Sequence, residues 1–224
     1  NNNEILIIFE AVTDEDTIIN LTNHNYWNFH GHKDFYQNIT DHNIKIASSF
    51  ICENDKNSIP TGNILNVSKT KFDLRKSFLI NDTFLESGGI DNNYSLLDKN
   101  YNDVVAQIYS NKTGMGVEYS TNQPGIQLYT GNMMNKKYNG KYNKTYGIQY
   151  GICLEAQNFP NAINNINFPS SILKKGKTYR SITKIKLPQT EILTNYKEKI
   201  LNECLRKGIK NGVLKIVITR GIGG

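Results

Sequence analysis

Apolar and β-branched residues recur in short runs along most of the chain, and these runs predict strands. From residue 4 to residue 11 the apolar positions are too continuous for a clean alternation, which predicts a strand packed on both of its faces. Residues 16–28 continue the extended character. Further strands are predicted at residues 43–47, 104–110, 115–121, 126–131, 150–157 and 178–187.

Turn residues separate these runs. Gly, Pro, Asn and Lys-Gly clusters stand at residues 60–63, 87–89, 124–125 and 174–177. Helical periodicity is almost lacking before residue 190. Many strands with turn chemistry between them predict an all-β fold, organised as an antiparallel β-sandwich.

The last part of the chain has a different pattern. Residues 196–207 carry apolar side chains at helical spacing among charged ones, and residues 213–219 have the pattern of a strand. We therefore predict one β-sandwich domain over residues 1–190 and a separate helix–strand tail over residues 191–224.

Polar side chains alternate with apolar ones within residues 16–28. Period-two parity places four of them on one face, namely Asn20, Thr22, His24 and Tyr26. That face could line a ligand cleft, or it could be the exposed face of a sheet that happens to carry a histidine. Taken alone, the pattern favours the second interpretation.

A glutamate in the predicted strand 150–157 is the second candidate. Parity places Glu155 on one face with Cys153 and Gln157. Strands are depleted in Glu unless the residue is exposed or functional, and the local pattern does not decide between the two. In residues 126–131, Gln127 and Tyr129 also share a face and would add an amide and a phenol.

Charge and cysteine content narrow the range of partners. The net charge is +6, but the lysines are dispersed and no block of five like charges occurs, so we predict no nucleic-acid partner. Three cysteines without a CxxC pair suggest neither a disulfide framework nor a zinc site. No apolar run approaches the roughly 18 residues of a membrane span, and no signal segment opens the sequence. We expect a cytoplasmic protein that has no membrane partner.

Four ordered segments together resemble the aldose 1-epimerase family. They are NLTNHNYWN at residues 20–28, GIDNNY at 89–94, QPGIQLYTGN at 123–132 and CLEAQNFP at 153–160. Residues 167–170 and the Lys-Gly turn also fit, so that the resemblance spans residues 4 to 188. It implies a large twisted antiparallel β-sandwich with an open sugar cleft on one face. The implied activity is the interconversion of the α and β anomers of free aldohexoses such as glucose or galactose.

The resemblance also implies roles for individual residues. Glu155 matches the family's general base and His24 its general acid, while Asp91 and Gln127 match ligands of sugar hydroxyls. Asn25 and Tyr26, which follow the acid in the sequence, would help to shape the site. Opening a hemiacetal ring needs one group to take the C1 hydroxyl proton and another to protonate the ring oxygen, so we expect the pair to flank one sugar from opposite sides.

Neither a cofactor nor a metal is expected. Three histidines, His30, His32 and His42, are interpreted as belonging to a loop after the motif rather than to a metal site. Trp27, in the same motif, is expected to pack in the core. The predicted partner is a small sugar, bound by a monomer or weak dimer.

Two other functions stay open. A hexose-6-phosphate 1-epimerase would need an arginine cluster, and the sequence has only four arginines, at positions 75, 180, 206 and 220. A non-catalytic carbohydrate-binding module is the other. The resemblance implies a preceding segment that carries an arginine and a second histidine, and the chain is expected to be N-terminally truncated relative to the family. Asn92 also stands where the family usually has histidine.

The tail resembles a second family. Residues 211–224 are similar to a segment of aminodeoxychorismate lyase, a pyridoxal-phosphate enzyme of the class IV aminotransferase group. The match is short and lacks the context of a Schiff-base lysine. No pyridoxal phosphate site is therefore predicted.

Overall fold

The computed structural model describes residues 3–32, 37–134 and 140–188. Its strands form two six-stranded sheets in which all pairs are antiparallel. The order across the first sheet is β1 (Glu4–Val12), β14 (Thr178–Lys186), β10 (Gly116–Thr121), β9 (Ala106–Ser110), β4 (His42–Ile46) and β7 (Phe78–Leu79). The order across the second is β3 (Tyr26–Trp27), β12 (Ile152–Gln157), β11 (Gly125–Tyr129), β8 (Asp91–Ser95), β5 (Phe50–Asn54) and β6 (Pro60–Asn66).

A few smaller elements lie outside the two large sheets. Strands β2 (Thr17–Ile18) and β13 (Ile172–Leu173) form a separate pair. Helix α1 (Asp82–Glu86) begins where the Asn81 side chain accepts a hydrogen bond from the Phe84 amide. Two 3-10 turns span Lys141–Asn143 and Ala162–Asn164. None of the helices in the described part of the chain is long and apolar enough to cross a membrane.

The inner faces of the two sheets share one hydrophobic core. Ile44 and Ile108 contribute from the first sheet, and Ile126 and Leu154 from the second, and all four are almost fully buried. Alternation along each strand directs these residues inward, because successive side chains of a strand point to opposite faces. The structure thus confirms the all-β antiparallel sandwich predicted from the sequence.

A buried hydrogen bond links the sheets. Trp27 in β3 donates its indole N–H to the hydroxyl of Tyr119 in β10 at 2.7 Å, and both residues lie in the core. The expectation that Trp27 packs in the core is confirmed. The bond also fixes β3, and hence the chain just before it, against the opposite sheet.

The predicted strands at residues 43–47, 104–110, 115–121, 126–131, 150–157 and 178–187 are confirmed as β4, β9, β10, β11, β12 and β14. The prediction that residues 4–11 pack on both faces is wrong. Strand β1 pairs with β14 alone in the described residues, and Leu6 is 57% exposed. Within the described part of the chain, β1 is therefore an edge strand rather than a buried one.

Two further expectations differ from the structure. Residues 16–28 are not one strand, because an irregular segment separates β2 from β3. Residues 60–63 are not a turn but the start of β6, an edge strand that begins at Pro60. Proline is tolerated at that position because an edge strand leaves one row of N–H groups without partners. The predicted tail, residues 191–224, lies outside the described residues together with its lyase-like segment, and the boundary near residue 190 stays a prediction.

Candidate active site

A cleft of about 330 Å³ lies on the outer face of the second sheet. Its floor comes from the side chains of β12, β11 and β8 that point away from the core. Nine described residues line it: His24, Tyr26, Asp91, Gln127, Tyr129, Met133, Glu155, Gln157 and Pro160. Seven of them carry a polar or titratable group toward the same space, which is the arrangement of a small polar-ligand site.

Strand register explains why these residues meet. Tyr26 pairs with Cys153, Cys153 with Tyr129, and Tyr129 with Asp91, so these four side chains form one row across four strands. Glu155 and Gln127 pair in the next row. Cross-strand partners lie on the same face of a sheet. Two rows of polar side chains therefore converge on the cleft.

The imidazole of His24 contacts the carboxyl group of Glu155. Their Nε2 and Oε1 atoms are 3.2 Å apart, and the His24 side chain is 46% exposed whereas that of Glu155 is 9% exposed. Extending the antiparallel register of β3 and β12 by two residues puts His24 opposite Glu155. The sheet geometry thus brings a nitrogen base and a carboxyl group together on the cleft wall.

Two tyrosines hold the imidazole in place. The ring of His24 stacks on Tyr26 with centroids 4.9 Å apart and an interplanar angle of 22°. Tyr129 packs edge-on against both rings, with centroid distances of 6.3 Å. Aromatic contacts of these two kinds are favourable. The exposed side of His24 remains open toward the cleft.

The environment of Glu155 disfavours its charged form. Burial, and secondarily the nearby Asp91 carboxyl group, raises the pKa of Glu155 to about 7. A carboxyl group with such a pKa exchanges protons near neutral pH, where general acid–base catalysis is most effective.

Asp91 and Gln127 form a hydrogen-bonded pair beside Glu155. The Gln127 amide donates to Asp91 Oδ1 at 2.7 Å. The oxygen of this amide, Oε1 of Gln127, is buried and has no hydrogen-bond partner among the described residues. Buried polar atoms are normally paired, so an orphaned acceptor at a cleft marks a place where a ligand hydroxyl would bind.

The structure gathers five of the six residues singled out from the sequence. His24, Tyr26, Asp91, Gln127 and Glu155 all line the cleft, and their individual roles stay predictions. Asn25 is not among the lining residues, because parity turns it away from the face that His24 and Tyr26 share.

Other polar residues of the motif have structural tasks. Asn20 does not line the cleft either; it pairs with Asn158 by accepting from its amide N–H and donating to its carbonyl. Met133 and Pro160 were not predicted as site residues. Pro160 ends the last family motif and could have been found there, whereas Met133 follows β11 in a turn that carries no periodic signal.

The three other histidines belong to the core and a loop. His42 is buried, and its Nε2 accepts from the Phe29 amide at 2.8 Å. Burial lowers the pKa of His42 to about 4, so the ring is neutral at physiological pH. His30 packs against it with ring centroids 4.3 Å apart. These contacts place both rings in the packing, and His42 is the first residue of β4. The interpretation that His42 belongs to a loop is therefore wrong.

Fold and cleft together define a class of protein: an antiparallel β-sandwich with an adjacent imidazole and carboxyl group on the outer face of one sheet. The family model described as aldose 1-epimerase matches residues 1–186. The chain is 36% identical over 182 residues to galactose mutarotase of Sus scrofa, and 32% identical over 181 residues to aldose 1-epimerase of Streptococcus thermophilus. The chain belongs to the aldose 1-epimerase family.

Solved structures agree with this assignment. The fold is similar to that of an aldose epimerase homologue from C. elegans, with a TM-score of 0.71 and 25% identity over 84% of this chain and 57% of that one. It is also similar to galactose 1-epimerase from Lactobacillus acidophilus, with a TM-score of 0.66 and 26% identity over 84% of this chain and 54% of that one. The Sus scrofa match covers 80% of this chain and 53% of the relative, and the S. thermophilus match covers 79% and 51%. The chain thus spans about half the length of these relatives.

Proposed function

We propose that this protein interconverts the α and β anomers of free aldohexoses, glucose or galactose, by acid–base opening and closing of the sugar ring. Glu155 is the base that takes the proton of the C1 hydroxyl, and His24 is the acid that protonates the ring oxygen. The observation that carries the proposal is the 3.2 Å separation of His24 Nε2 and Glu155 Oε1 on the cleft wall.

This separation suits the chemistry of a hemiacetal. The C1 hydroxyl oxygen and the ring oxygen are bonded to the same carbon, so an acid and a base that serve both must be neighbours. In this proposal they approach one corner of the sugar, whereas the expectation from the sequence was that they flank it from opposite sides. Because His24 is half exposed, its ring can shift away from Glu155 to admit the two oxygens.

The proton balance closes over one cycle. Glu155 accepts the C1 hydroxyl proton while His24 gives a proton to the ring oxygen, and the bond between C1 and the ring oxygen breaks to leave an open-chain aldehyde. Rotation about the C1–C2 bond presents the other face of the carbonyl. Closure then runs in reverse, with protonated Glu155 returning a proton to the carbonyl oxygen and neutral His24 taking one from the attacking hydroxyl. Both groups end as they began.

The remaining cleft residues orient the sugar. The Asp91 carboxyl group and the unpaired Gln127 Oε1 both accept hydrogen bonds, so they would bind hydroxyl groups away from C1. Tyr26 and Tyr129 give the cleft aromatic surface on which the C–H face of a sugar packs. Such contacts would hold C1 against the acid–base pair.

A free sugar fits this cleft better than a sugar phosphate. The nine lining residues that the structure describes include two carboxyl groups, of Asp91 and Glu155, and neither lysine nor arginine. A phosphate dianion would be repelled there.

We also expect the protein to act in the cytoplasm as a monomer or weak dimer.

A non-catalytic carbohydrate-binding module remains a second candidate, because the chain spans about half the length of its relatives. Polarimetry on freshly dissolved α-D-glucose or α-D-galactose separates the two. The proposal expects mutarotation faster than in buffer, lost in Glu155→Gln and kept in the matched control Glu118→Gln, a half-buried glutamate on β10 in the other sheet. Sugar binding without acceleration in the unmodified protein would support the module instead.

A further inference from the structure

A second chemistry is available beside the acid–base pair. Cys153 lies on the same face of β12 as Glu155, is fully buried, and has Tyr26 on β3 and Tyr129 on β11 as its cross-strand neighbours. Its sulfur, a ring nitrogen of His24 and a carboxylate oxygen of Glu155 all lie within 4.8 Å of one another. Proton transfer to a sugar uses the imidazole and the carboxyl group but gives the thiol no task.

We propose that His24, Cys153 and Glu155 form a binding site for a thiophilic divalent metal ion such as Zn²⁺, and that the metal and the sugar exclude each other. The metal site itself is independent of the sugar chemistry. Only the inhibitory consequence rests on the proposed function, because it requires His24 and Glu155 to be the acid and the base.

The ligand set and its spacing fit zinc. Zn²⁺ binds imidazole nitrogen and carboxylate oxygen at about 2.0–2.2 Å and thiolate sulfur at about 2.3 Å, usually with four ligands arranged as a tetrahedron. Ligand atoms around such an ion are separated by roughly 3.3–3.8 Å as these bond lengths require. The His24–Glu155 pair is already close to this spacing at 3.2 Å. The three ligand atoms lie within 4.8 Å of one another, so a shift of no more than about 1.5 Å would bring in the sulfur, and the open cleft leaves the fourth position to water.

The charges around the site also favour a cation. The carboxyl group of Asp91 lies close enough to Glu155 to act on it electrostatically. The lining residues in the described part of the chain bring no lysine or arginine to offset these two carboxyl groups. A divalent ion would relieve their repulsion, and it would displace the proton of the Cys153 thiol on binding.

Binding of Co²⁺ tests the site without any sugar. Co²⁺ occupies zinc sites and gives a sulfur-to-metal charge-transfer absorption band only when a thiolate is bound. We expect a saturable band at one ion per chain that Zn²⁺ removes. Cys204 lies outside the described residues, so all proteins in the titration should carry Cys204→Ser.

Variants assign the ligands. Cys153→Ala should abolish the charge-transfer band, and His24→Ala should weaken Co²⁺ binding at least about tenfold. Cys52→Ala is the matched control, since Cys52 is equally buried but lies on β5, and its band should equal that of the parent. His24 is half exposed, so its variant tests the site even if replacement of the buried cysteine impairs folding.

The outcomes separate the two proposals. A charge-transfer band that survives Cys153→Ala, Co²⁺ binding without such a band, or no saturable binding would overturn the metal site. If the site holds, galactose should compete with Co²⁺, and Zn²⁺ should slow mutarotation. Metal binding in a protein that does not accelerate mutarotation would leave the site standing and refute its inhibitory role. Acceleration that Zn²⁺ leaves unchanged, with no metal bound, would overturn this inference alone.

Discussion

His24 lies directly opposite Glu155 across the β3–β12 pairing, with Nε2 and Oε1 3.2 Å apart. His24 precedes β3 by two residues and Glu155 lies within β12, so only the antiparallel register joins them. Each residue is displaced by two positions from the Tyr26–Cys153 pair, which keeps both side chains on the cleft face. The proposed chemistry depends on this juxtaposition.

Replacing His24 should remove catalysis and leave the fold intact. For His24→Gln we expect mutarotation to slow by about 10² to 10⁴, because one positioned proton-transfer group is lost. Since the side chain is half exposed but stacks on Tyr26, the free energy of unfolding should change by no more than about 1.5 kcal/mol. Polarimetry and urea unfolding measure the two effects. His32→Gln, outside the lining residues, serves as control, and an equal loss of rate in that variant would argue against a specific role for His24.

The activity should depend on the ionisation of Glu155. As a base it must be deprotonated, so kcat/KM should rise with pH through the pKa of about 7. The Asp91 carboxyl group contributes to raising that pKa, after burial. Asp91→Asn should therefore move the acidic limb of the profile to lower pH, in addition to increasing KM. A limb that stays in place or moves to higher pH in this variant would contradict the proposed electrostatics.

The ionisation of Glu155 should also affect stability, but in the opposite direction: activity rises with pH, whereas the stability contributed by this group falls. Because the folded state raises the pKa of Glu155 above its ordinary value of 4.5, its contribution to stability is full below that value and is lost as the pH rises through about 7. Glu155→Gln has no such loss. As the pH rises from about 4 to about 8, the free energy of unfolding of this variant should increase relative to that of the parent by on the order of 1 to 3 kcal/mol, as measured by urea unfolding. An equal stability difference at both pH values would show that Glu155 titrates normally.

The link between the sheets should contribute measurably to stability. Tyr119→Phe removes the acceptor of the Trp27 indole N–H and leaves that buried donor unpaired, which should cost about 1–3 kcal/mol. Tyr142→Phe, at a residue that is 73% exposed, should change the free energy of unfolding by less than about 0.5 kcal/mol. Chemical denaturation would measure both changes in the free energy of unfolding, provided that its slope against denaturant concentration is the same in the variants and the parent. Equal effects of the two substitutions would mean that the hydroxyl of Tyr119 contributes nothing.

Local patterns predicted which side chains share a face but not which strands pair. Parity correctly grouped Glu155 with Gln157, and Gln127 with Tyr129, because the two-residue period is fixed by strand geometry. Whether Glu155 was exposed or buried depended on β3 and β11 lying beside β12, which is a contact between segments far apart in the sequence. Family motifs supplied the missing long-range information.

Two elements were missed because their composition opposes their structure. Strand β8 (Asp91–Ser95) is rich in Asp and Asn, which strands normally disfavour, and one of these residues, Asp91, lines the cleft. Residues 60–63 contain Pro and Gly but lie on an edge strand, where both are tolerated. Strand β1 has the opposite mismatch: its apolar run suggested a buried strand, yet Leu6 is largely exposed.

A double-mutant cycle on His24 and Glu155 tests the central claim most directly. The rates of α-D-galactose mutarotation would be measured by polarimetry for the parent protein, His24→Gln, Glu155→Gln and the double variant. If the pair acts on one sugar in one step, the double variant should be about as slow as the slower single variant, because residues that act as a unit have strongly non-additive effects. Losses that simply multiply, or a parent protein no faster than buffer, would contradict the account.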